Sequence, residues 1–394
     1  MSEISWLRWV WILCIIGVLL LITNAYSQTV LSDRAAFWDL SVYTRARDEF
    51  SAGLNPYVSE AYYKFVYPPI TLWIFSALGD YLEVILLVLY LAAIAPFCLP
   101  RFRPLVISAL VVSAAFPFAT NPIALSVVTG NITFFLHLGI VALWFLQGTR
   151  ETAWGFFATV FLAALFKPYF LGYYLVPILV HGATRKRLLC SALAITLVVA
   201  VWAIQALLWE TRFVDFLASL NLQVFKGNPS AWRGDVGYGY YRYFAFWTES
   251  KSVSLGLHMI ASLWILSIFW VMRDKIATRF AEHKFEVLSL FAIALCILIN
   301  PRLKVYDYAV CNALIVAALI LYLSTYMRSK LVIATLIVIV LASNLYSGLG
   351  LFLEDRRLGN TGRTLMIHGP SIGLLAMTLH IWLSPVLNPA RDGT

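Results

Sequence analysis

Long apolar runs alternate with polar connectors along this chain, and the alternation predicts helices that cross a membrane. The first apolar run, 7–25, has about the length that a bilayer requires, and we expect it to remain as an uncleaved anchor helix. Further runs follow at 82–99, 105–119, 131–147, 153–166, 168–181, 188–209, 254–272, 285–299, 308–327, 331–347 and 370–386. Several are shorter than the ~20 residues of a straight crossing, which indicates broken helices around a water-filled cavity. We therefore predict a single-domain (1–394), all-α polytopic membrane protein with about twelve transmembrane helices.

The segment 67–79 is apolar but short, and it opens with Pro68 and Pro69. This pattern predicts a half-membrane or re-entrant helix, and the sequence leaves open whether the segment crosses fully. Three longer polar regions, 26–81, 210–253 and 348–369, then fall on one face of the membrane. The first is the longest and is rich in aromatic residues, so we expect it to be ordered and to carry the chemistry.

Composition excludes an ordinary soluble protein, because 61% of the residues are hydrophobic and only 12% are charged, against about 25% in soluble domains. The five cysteines lie inside apolar runs and the six histidines are scattered, with no spacing typical of a metal site. No glycine-rich phosphate loop is present either. We expect no metal and no other cofactor.

The net charge of +9 is unevenly distributed. With a cytoplasmic N-terminus, most of the basic excess falls in short cytoplasmic connectors, as the positive-inside rule requires. The excess is thus an orientation signal, and we do not interpret it as a nucleic-acid surface. The arrangement predicts a cytoplasmic-membrane protein with both termini in the cytoplasm and the three long polar regions outside.

Asp39 lies in the first outer region among aromatic residues, which favour a carboxylate shielded from water and suited to act as a general base. The same position suits an N-cap at the start of a surface helix over 40–50, and both interpretations stay open. Asp48 and Glu49 stand beside Arg45 and Arg47, so local ion pairs are expected there.

Three basic residues, Lys167, Arg302 and Lys304, occupy short outer connectors, against the positive-inside tendency. Such cations suggest an anion to bind. The alternative is that they extend toward lipid head groups or pair with Asp307.

Two further segments carry weaker signals. Gly130-Asn131 precedes a predicted helix, where Asn131 suits a cap, a ligand contact or a glycan acceptor. The segment from Asn228 to Arg233 leads into a tyrosine-rich stretch, and such aromatic planes suit either sugar rings or a membrane-interface belt.

Several short motifs follow one another in a fixed order: Asp39, Tyr43 and Arg45; Gly53-x-Asn55-Pro56-Tyr57; Tyr67-Pro68-Pro69; Gly130-Asn131; Lys167-Pro168; and Gly227-Asn228-x-Ser230. In this order they resemble glycosyltransferase family 87 of the GT-C superfamily, polytopic enzymes that include mannosyl- and arabinosyltransferases of bacterial cell envelopes. The resemblance covers most of the chain and implies a GT-C-type bundle.

The resemblance implies that Asp39 is the catalytic base and that Lys167 approaches the phosphate of a lipid-linked donor. Many relatives place a histidine after Ser-Pro or Asn-Pro, and this chain has none after Asn300-Pro301. We assign that donor contact to Arg302 or Lys304, with Arg233 as a further candidate. The expected substrate-binding residues are Tyr43, Arg45, Tyr67, Asn131, Asn228, Asn300, Tyr306 and Asp307.

The expected activity is transfer of one sugar from a polyprenyl-phosphate donor to a hydroxyl of an envelope glycolipid or glycan, outside the cytoplasmic membrane and without a metal. One carboxylate suffices for an inverting displacement. The expected partners are this donor, the acceptor and membrane lipids. The main alternative is a transporter or flippase of a lipid-linked glycan, although no inverted repeat is evident.

Overall fold

A computed structural model of the chain describes residues 37–59, 65–115, 122–149, 153–225, 240–248, 250–301, 303–326 and 377–381. Within these ranges all regular structure is helical and no strand occurs, which confirms the all-α prediction at this level. The predicted helices at 7–25 and 331–347, most of 370–386 and the outer region 348–369 lie outside the described residues.

The α-helices are numbered here over the described ranges only. They are α1 (Trp38–Ser51), α2 (Pro69–Leu78), α3 (Leu82–Ile94), α4 (Arg103–Ala115), α5 (Pro122–Thr129), α6 (Ile132–Gln147), α7 (Trp154–Phe166), α8 (Val176–His181), α9 (Arg185–Leu208), α10 (Glu210–Phe225), α11 (Tyr240–Thr248), α12 (Lys251–Arg279), α13 (Lys284–Leu298) and α14 (Val305–Tyr326). Short 3-10 helices lie at Gly79–Tyr81, Ala95–Cys98, Pro100–Phe102, Pro168–Leu175 and Ala281–His283.

Four helical stretches in the described part are long and apolar enough to cross a membrane: Pro69–Cys98, Arg185–Leu208, Lys251–Arg279 and Tyr306–Thr325. The helices α6 and α7 are apolar but shorter. These elements support a membrane protein, while the complete set of predicted crossings stays a prediction.

The expected break at Lys167 is confirmed. Helix α7 ends at Phe166, Lys167 is extended (φ −145°, ψ 118°), and a 3-10 helix follows over Pro168–Leu175 before α8. Pro168 explains the break, because proline disfavours the helical conformation of the residue before it and has no N–H to donate.

The short helix predicted over 67–79 is α2, which begins at Pro69, the first helical position that proline favours. It ends at Gly79, whose φ of 52° stops the α-helix, and α3 begins after one 3-10 turn. The segment is thus continuous with a candidate crossing, and its half-membrane character stays a prediction.

The described residues of the region 210–253, which the sequence predicts as a polar outer loop, form α10, α11 and the start of α12. Its position outside the membrane stays a prediction. Hydropathy alone did not identify α10. Its polar and apolar residues lie on different faces of the helix, so no apolar run appears in the sequence.

Helix α13 forms the centre of the described bundle, and Val287–Leu298 is buried along its whole circumference. A helix that is buried on every side is expected to carry apolar residues on every side, and the sequence of α13 agrees with this. It packs against α8, α12 and α14, while α9 and α12 expose most of their apolar side chains. The described protein is therefore layered, with α6, α7, α13 and α14 inside and the longest apolar helices outside.

Candidate functional site

The start of helix α1 places Asp39. Phe37 precedes the helix in the left-handed conformation (φ 60°), and its N–H donates to the carbonyl of Val128 at the end of α5 at 2.6 Å. The helix begins at Trp38, so Asp39 lies inside its first turn, and no side chain caps this helix. The N-cap interpretation of Asp39 is therefore wrong, because the helix starts two residues earlier than that interpretation requires.

Asn131 orients the Asp39 carboxylate. Its amide nitrogen donates to Oδ2 of Asp39 at 2.7 Å, and its carbonyl oxygen accepts the N–H of Thr133 at 2.9 Å. The predicted capping of α6 by Asn131 is thus confirmed. The same buried side chain fixes the rotamer of Asp39. Both polar atoms of the Asn131 side chain therefore bind groups of the protein.

Gly130 permits the close approach of α1 to the start of α6. Its φ is 64°, and a Cβ added there would lie 2.6 Å from Cδ1 of Phe37. Only glycine adopts this conformation without strain and leaves room for the ring. The hydroxyl of Tyr90 donates to the Gly130 carbonyl at 2.6 Å, which fixes the turn from a third helix, α3.

Tyr43 and Tyr67 form a polar floor beside the carboxylate. Their hydroxyl oxygens are 3.0 Å apart, and the Tyr43 hydroxyl also accepts the N–H of Ile132 at 3.2 Å. The Tyr57 hydroxyl donates to the Tyr67 carbonyl at 2.6 Å. Tyr43 and Tyr67 are only 1% and 4% exposed, and their expected contacts with substrate stay a prediction. They support the site from within, because their hydroxyls are held by protein groups.

Lys167 lies over three tyrosine rings that come from distant parts of the chain. Its Nζ is 5.2 Å from the ring centre of Tyr67, 5.9 Å from that of Tyr169 and 5.3 Å from that of Tyr306. These distances fall within the ~6 Å range of cation–π attraction. The ammonium group is therefore held at a defined position above an aromatic surface.

The Asp39 carboxylate lies within electrostatic range of both Lys167 and Lys304. Burial raises the pKa of Asp39 above its ordinary value of 3.8, and the Asn131 hydrogen bond and the two lysines oppose that rise. A carboxylate with a raised pKa is a better proton acceptor than an ordinary surface aspartate. The Asp39 carboxylate on α1 thus lies within electrostatic range of one cation at the end of α7 and of another just before α14.

Asp307 is buried in a second polar network beside Lys167. Its Oδ1 lies 2.9 Å from Nε2 of His137 and accepts the Tyr169 hydroxyl at 2.9 Å, while its Oδ2 accepts the Lys304 N–H at 2.8 Å. Nδ1 of His137 is 2.5 Å from the Tyr173 hydroxyl. Asp307 is 1% exposed and positions the Lys304 connector and Tyr169, while its expected contact with substrate stays a prediction.

His137 was missed because its partner is 170 residues away and no local spacing joins the two. A usable signal existed, since a histidine inside an apolar run is costly unless it is paired. The same reasoning applies to the Asp307 carboxylate in α14.

The remaining predicted site residues lie on α1, in the connector before α14 or outside the described residues. Arg45 lies on α1 and approaches Glu49 at 3.8 Å, and Arg47 contacts Asp48 at 2.8 Å, which confirms the expected local pairs. Asn300 is buried in the connector between α13 and α14. Three predicted residues lie outside the described residues: Asn228, Arg233 and Arg302.

No group of histidine, cysteine or acidic residues in the described part has the arrangement of a metal site. Comparison of the chain with protein-family models and with curated proteins finds no match.

Proposed function

We propose that this protein is a membrane glycosyltransferase that moves one sugar from a polyprenyl-phosphate donor to a hydroxyl of an envelope glycolipid or glycan. The observation that carries the proposal is the half-buried Asp39 carboxylate, oriented by Asn131 and placed within electrostatic range of Lys167 and Lys304. The resemblance to glycosyltransferase family 87 supports the choice of substrate class.

In the proposed reaction, Asp39 accepts the proton of the acceptor hydroxyl as the oxygen attacks the anomeric carbon of the donor sugar. The new glycosidic C–O bond forms while the bond from that carbon to the lipid-phosphate oxygen breaks. Lys167 and Lys304 stabilise the charge that develops on the leaving phosphate. The tyrosine rings around Lys167 fix the cation before the reaction, so little reorganisation is needed.

A single displacement with inversion agrees best with this geometry. A double displacement would use a second carboxylate about 5 Å from the first, by analogy with retaining glycosidases. Among the described residues, Asp307 is a second carboxylate within electrostatic range of Lys167, but both of its oxygens already accept hydrogen bonds from the protein. Asp307 is therefore a positioning residue in this mechanism.

We further propose a multi-pass protein of the cytoplasmic membrane, with both termini in the cytoplasm and the Asp39 site on the other face. The basic connectors support this orientation. Because sugar nucleotides stay in the cytoplasm, a site on the outer face requires a donor already carried across on lipid. Cysteine labelling in intact cells tests the orientation: a cysteine at position 186 should react only after permeabilisation, and labelling from outside would overturn it.

The activity is tested with purified protein in detergent, a labelled polyprenyl-phosphate sugar and a glycolipid acceptor. A new labelled glycoside supports the transferase. The alternative is a transporter or flippase of a lipid-linked glycan, in which the cations line a passage and no bond changes. Movement of a labelled lipid-linked glycan across proteoliposomes, without any new glycoside, would favour that alternative.

A further inference from the structure

A deep apolar groove opens between the end of α6, the first half of α7, α8 and the first half of α9. Its volume is about 960 Å³, including the open mouth. Its walls are mainly aromatic and aliphatic, and among its lining residues are Trp154, Phe157, Phe161, Leu193 and Leu197. The described residues that line it include the basic side chains Lys186 and Arg187.

The groove is distinct from the Asp39 site. Asn131 and Lys167 stand at the start of α6 and the end of α7, whereas the groove begins at the opposite ends of the same two helices. At 1.5 Å of rise per residue, these helices separate the two places by roughly 20 Å. A ligand in the groove would therefore not contact the proposed reaction centre.

One end of the groove is basic. Lys186 and Arg187 line it, and both lie in the first turn of α9, which contains no acidic residue. Nη1 of Arg187 donates to the carbonyls of His181 and Gly182 at 3.0 and 3.1 Å, which holds its guanidinium group at this end.

Away from the basic end, the groove is open at the exposed surface of a helix that is suited to crossing a membrane. Helix α9 is one of the four candidate crossings, and its groove residues Leu193 and Leu197 are 62% and 49% exposed. Trp154, at the basic end, is 70% exposed, as expected of tryptophan at a membrane interface. In a bilayer, an acyl chain can enter the groove from the side.

We propose that this groove binds an anionic phospholipid. The phosphate lies at Lys186 and Arg187, and one acyl chain lies along Phe157, Phe161, Leu193 and Leu197. Charge complementarity selects an anionic head group, and the apolar walls select a lipid over a small soluble anion. The inference does not rest on the proposed glycosyl transfer, and its test measures binding alone.

The test titrates the purified full-length protein in non-ionic detergent with dioleoylphosphatidylglycerol and, separately, dioleoylphosphatidylcholine, with native mass spectrometry as the readout. The wild type should bind the anionic lipid several-fold more tightly. Lys186→Gln should weaken its binding roughly fivefold, the effect of one cation near an anionic head group, and leave binding of the zwitterionic lipid unchanged.

Two matched variants separate the contributions of charge and groove. Lys275→Gln removes an exposed cation that does not line the groove and should keep the lipid preference. Ala158→Trp fills the groove and should weaken binding of both lipids, with folding checked by circular dichroism.

Equal affinity of the wild type for the two lipids would overturn the proposal, as would unchanged binding of the anionic lipid to Lys186→Gln. Competition by soluble glycerol 3-phosphate at the same concentration as the lipid would assign the basic end to a free phosphate and also overturn it.

Discussion

The amide of Asn131 donates a 2.7 Å hydrogen bond to the carboxylate of Asp39, a residue 92 positions earlier in the chain. Asn131 is also the N-cap of α6, so one side chain joins the start of that helix to the first turn of α1. The position of the proposed base therefore depends on how two separate helices begin.

The first prediction concerns pH. An aspartate base works only when ionised, so activity should fall as the pH drops through the pKa of Asp39. Because burial raises that pKa, the acid limb of kcat/KM should lie above pH 3.8, the ordinary value. Lys167→Met removes a charge that lowers the pKa, so the limb should move to higher pH, whereas Lys275→Met should not move it. A limb that stays in place, or moves to lower pH, would contradict this coupling.

The second prediction concerns donor binding. If Lys167 and Lys304 hold one phosphate, Lys167→Ala and Lys304→Ala should each weaken donor binding and lower turnover, since a charge-assisted hydrogen bond is lost. The double variant should lose less than the sum of the single losses, because residues that share a ligand are not independent. Donor KM and kcat for the four proteins measure this. Fully additive losses would mean that the two lysines do not share a ligand.

The third prediction concerns the turn before α6. Gly130→Ala places an alanine in the left-handed conformation and brings its Cβ against the Phe37 ring. The change should destabilise the protein by roughly 1–2 kcal/mol. Gly139 is a matched control inside α6, because a Cβ there meets nothing within 4 Å. Gly139→Ala should be neutral or stabilising by up to about 1 kcal/mol. Thermal unfolding in detergent compares them, and equal effects of the two changes would contradict the packing described here.

The fourth prediction concerns Asp307. Asp307→Ala leaves the buried donors of Tyr169, Lys304 and His137 without their acceptor, which should cost about 3 kcal/mol or more. Asp307→Asn keeps two acceptor positions at most and should be intermediate in thermal stability. Because Asp307 positions the Lys304 connector, Asp307→Asn should also raise the donor KM more than it lowers kcat. A loss of stability with no change in donor KM would show that Asp307 does not position that connector.

Much of the helical framework follows from the sequence. Apolar runs identified the helices around α6, α7, α9, α12, α13 and α14. The gap between the runs 153–166 and 168–181 placed the break at Lys167. The amphipathic helix α10 was not identified, because hydropathy averages over its two faces.

The candidate site was predicted only in part. Asp39 stood out because aromatic residues surround it in the sequence, and Lys167 stood out because a cation between short apolar runs is costly. The contacts of Asn131 with Asp39 and of His137 with Asp307 join residues 92 and 170 positions apart, and no periodicity encodes such pairs. The burial of Tyr43 and Tyr67 could not be predicted either, because it depends on the packing of helices that are distant in sequence.

The central claim is that Asp39 is the base of a glycosyl transfer. Asp39→Asn preserves the size of the side chain and leaves an oxygen to accept the Asn131 hydrogen bond, so the protein should fold. Asp80→Asn is the matched control, because the Asp80 side chain is fully exposed and the change weakens only its ion pair with Arg47 at 3.8 Å.

The most direct measurement is formation of labelled glycoside by these three purified proteins, supplied with polyprenyl-phosphate-linked mannose or arabinose and a glycolipid acceptor. Wild type and Asp80→Asn should form product at similar rates, and Asp39→Asn should be slower by roughly 10² to 10⁴, the contribution typical of a general base. Product formation by Asp39→Asn at the wild-type rate would contradict the account.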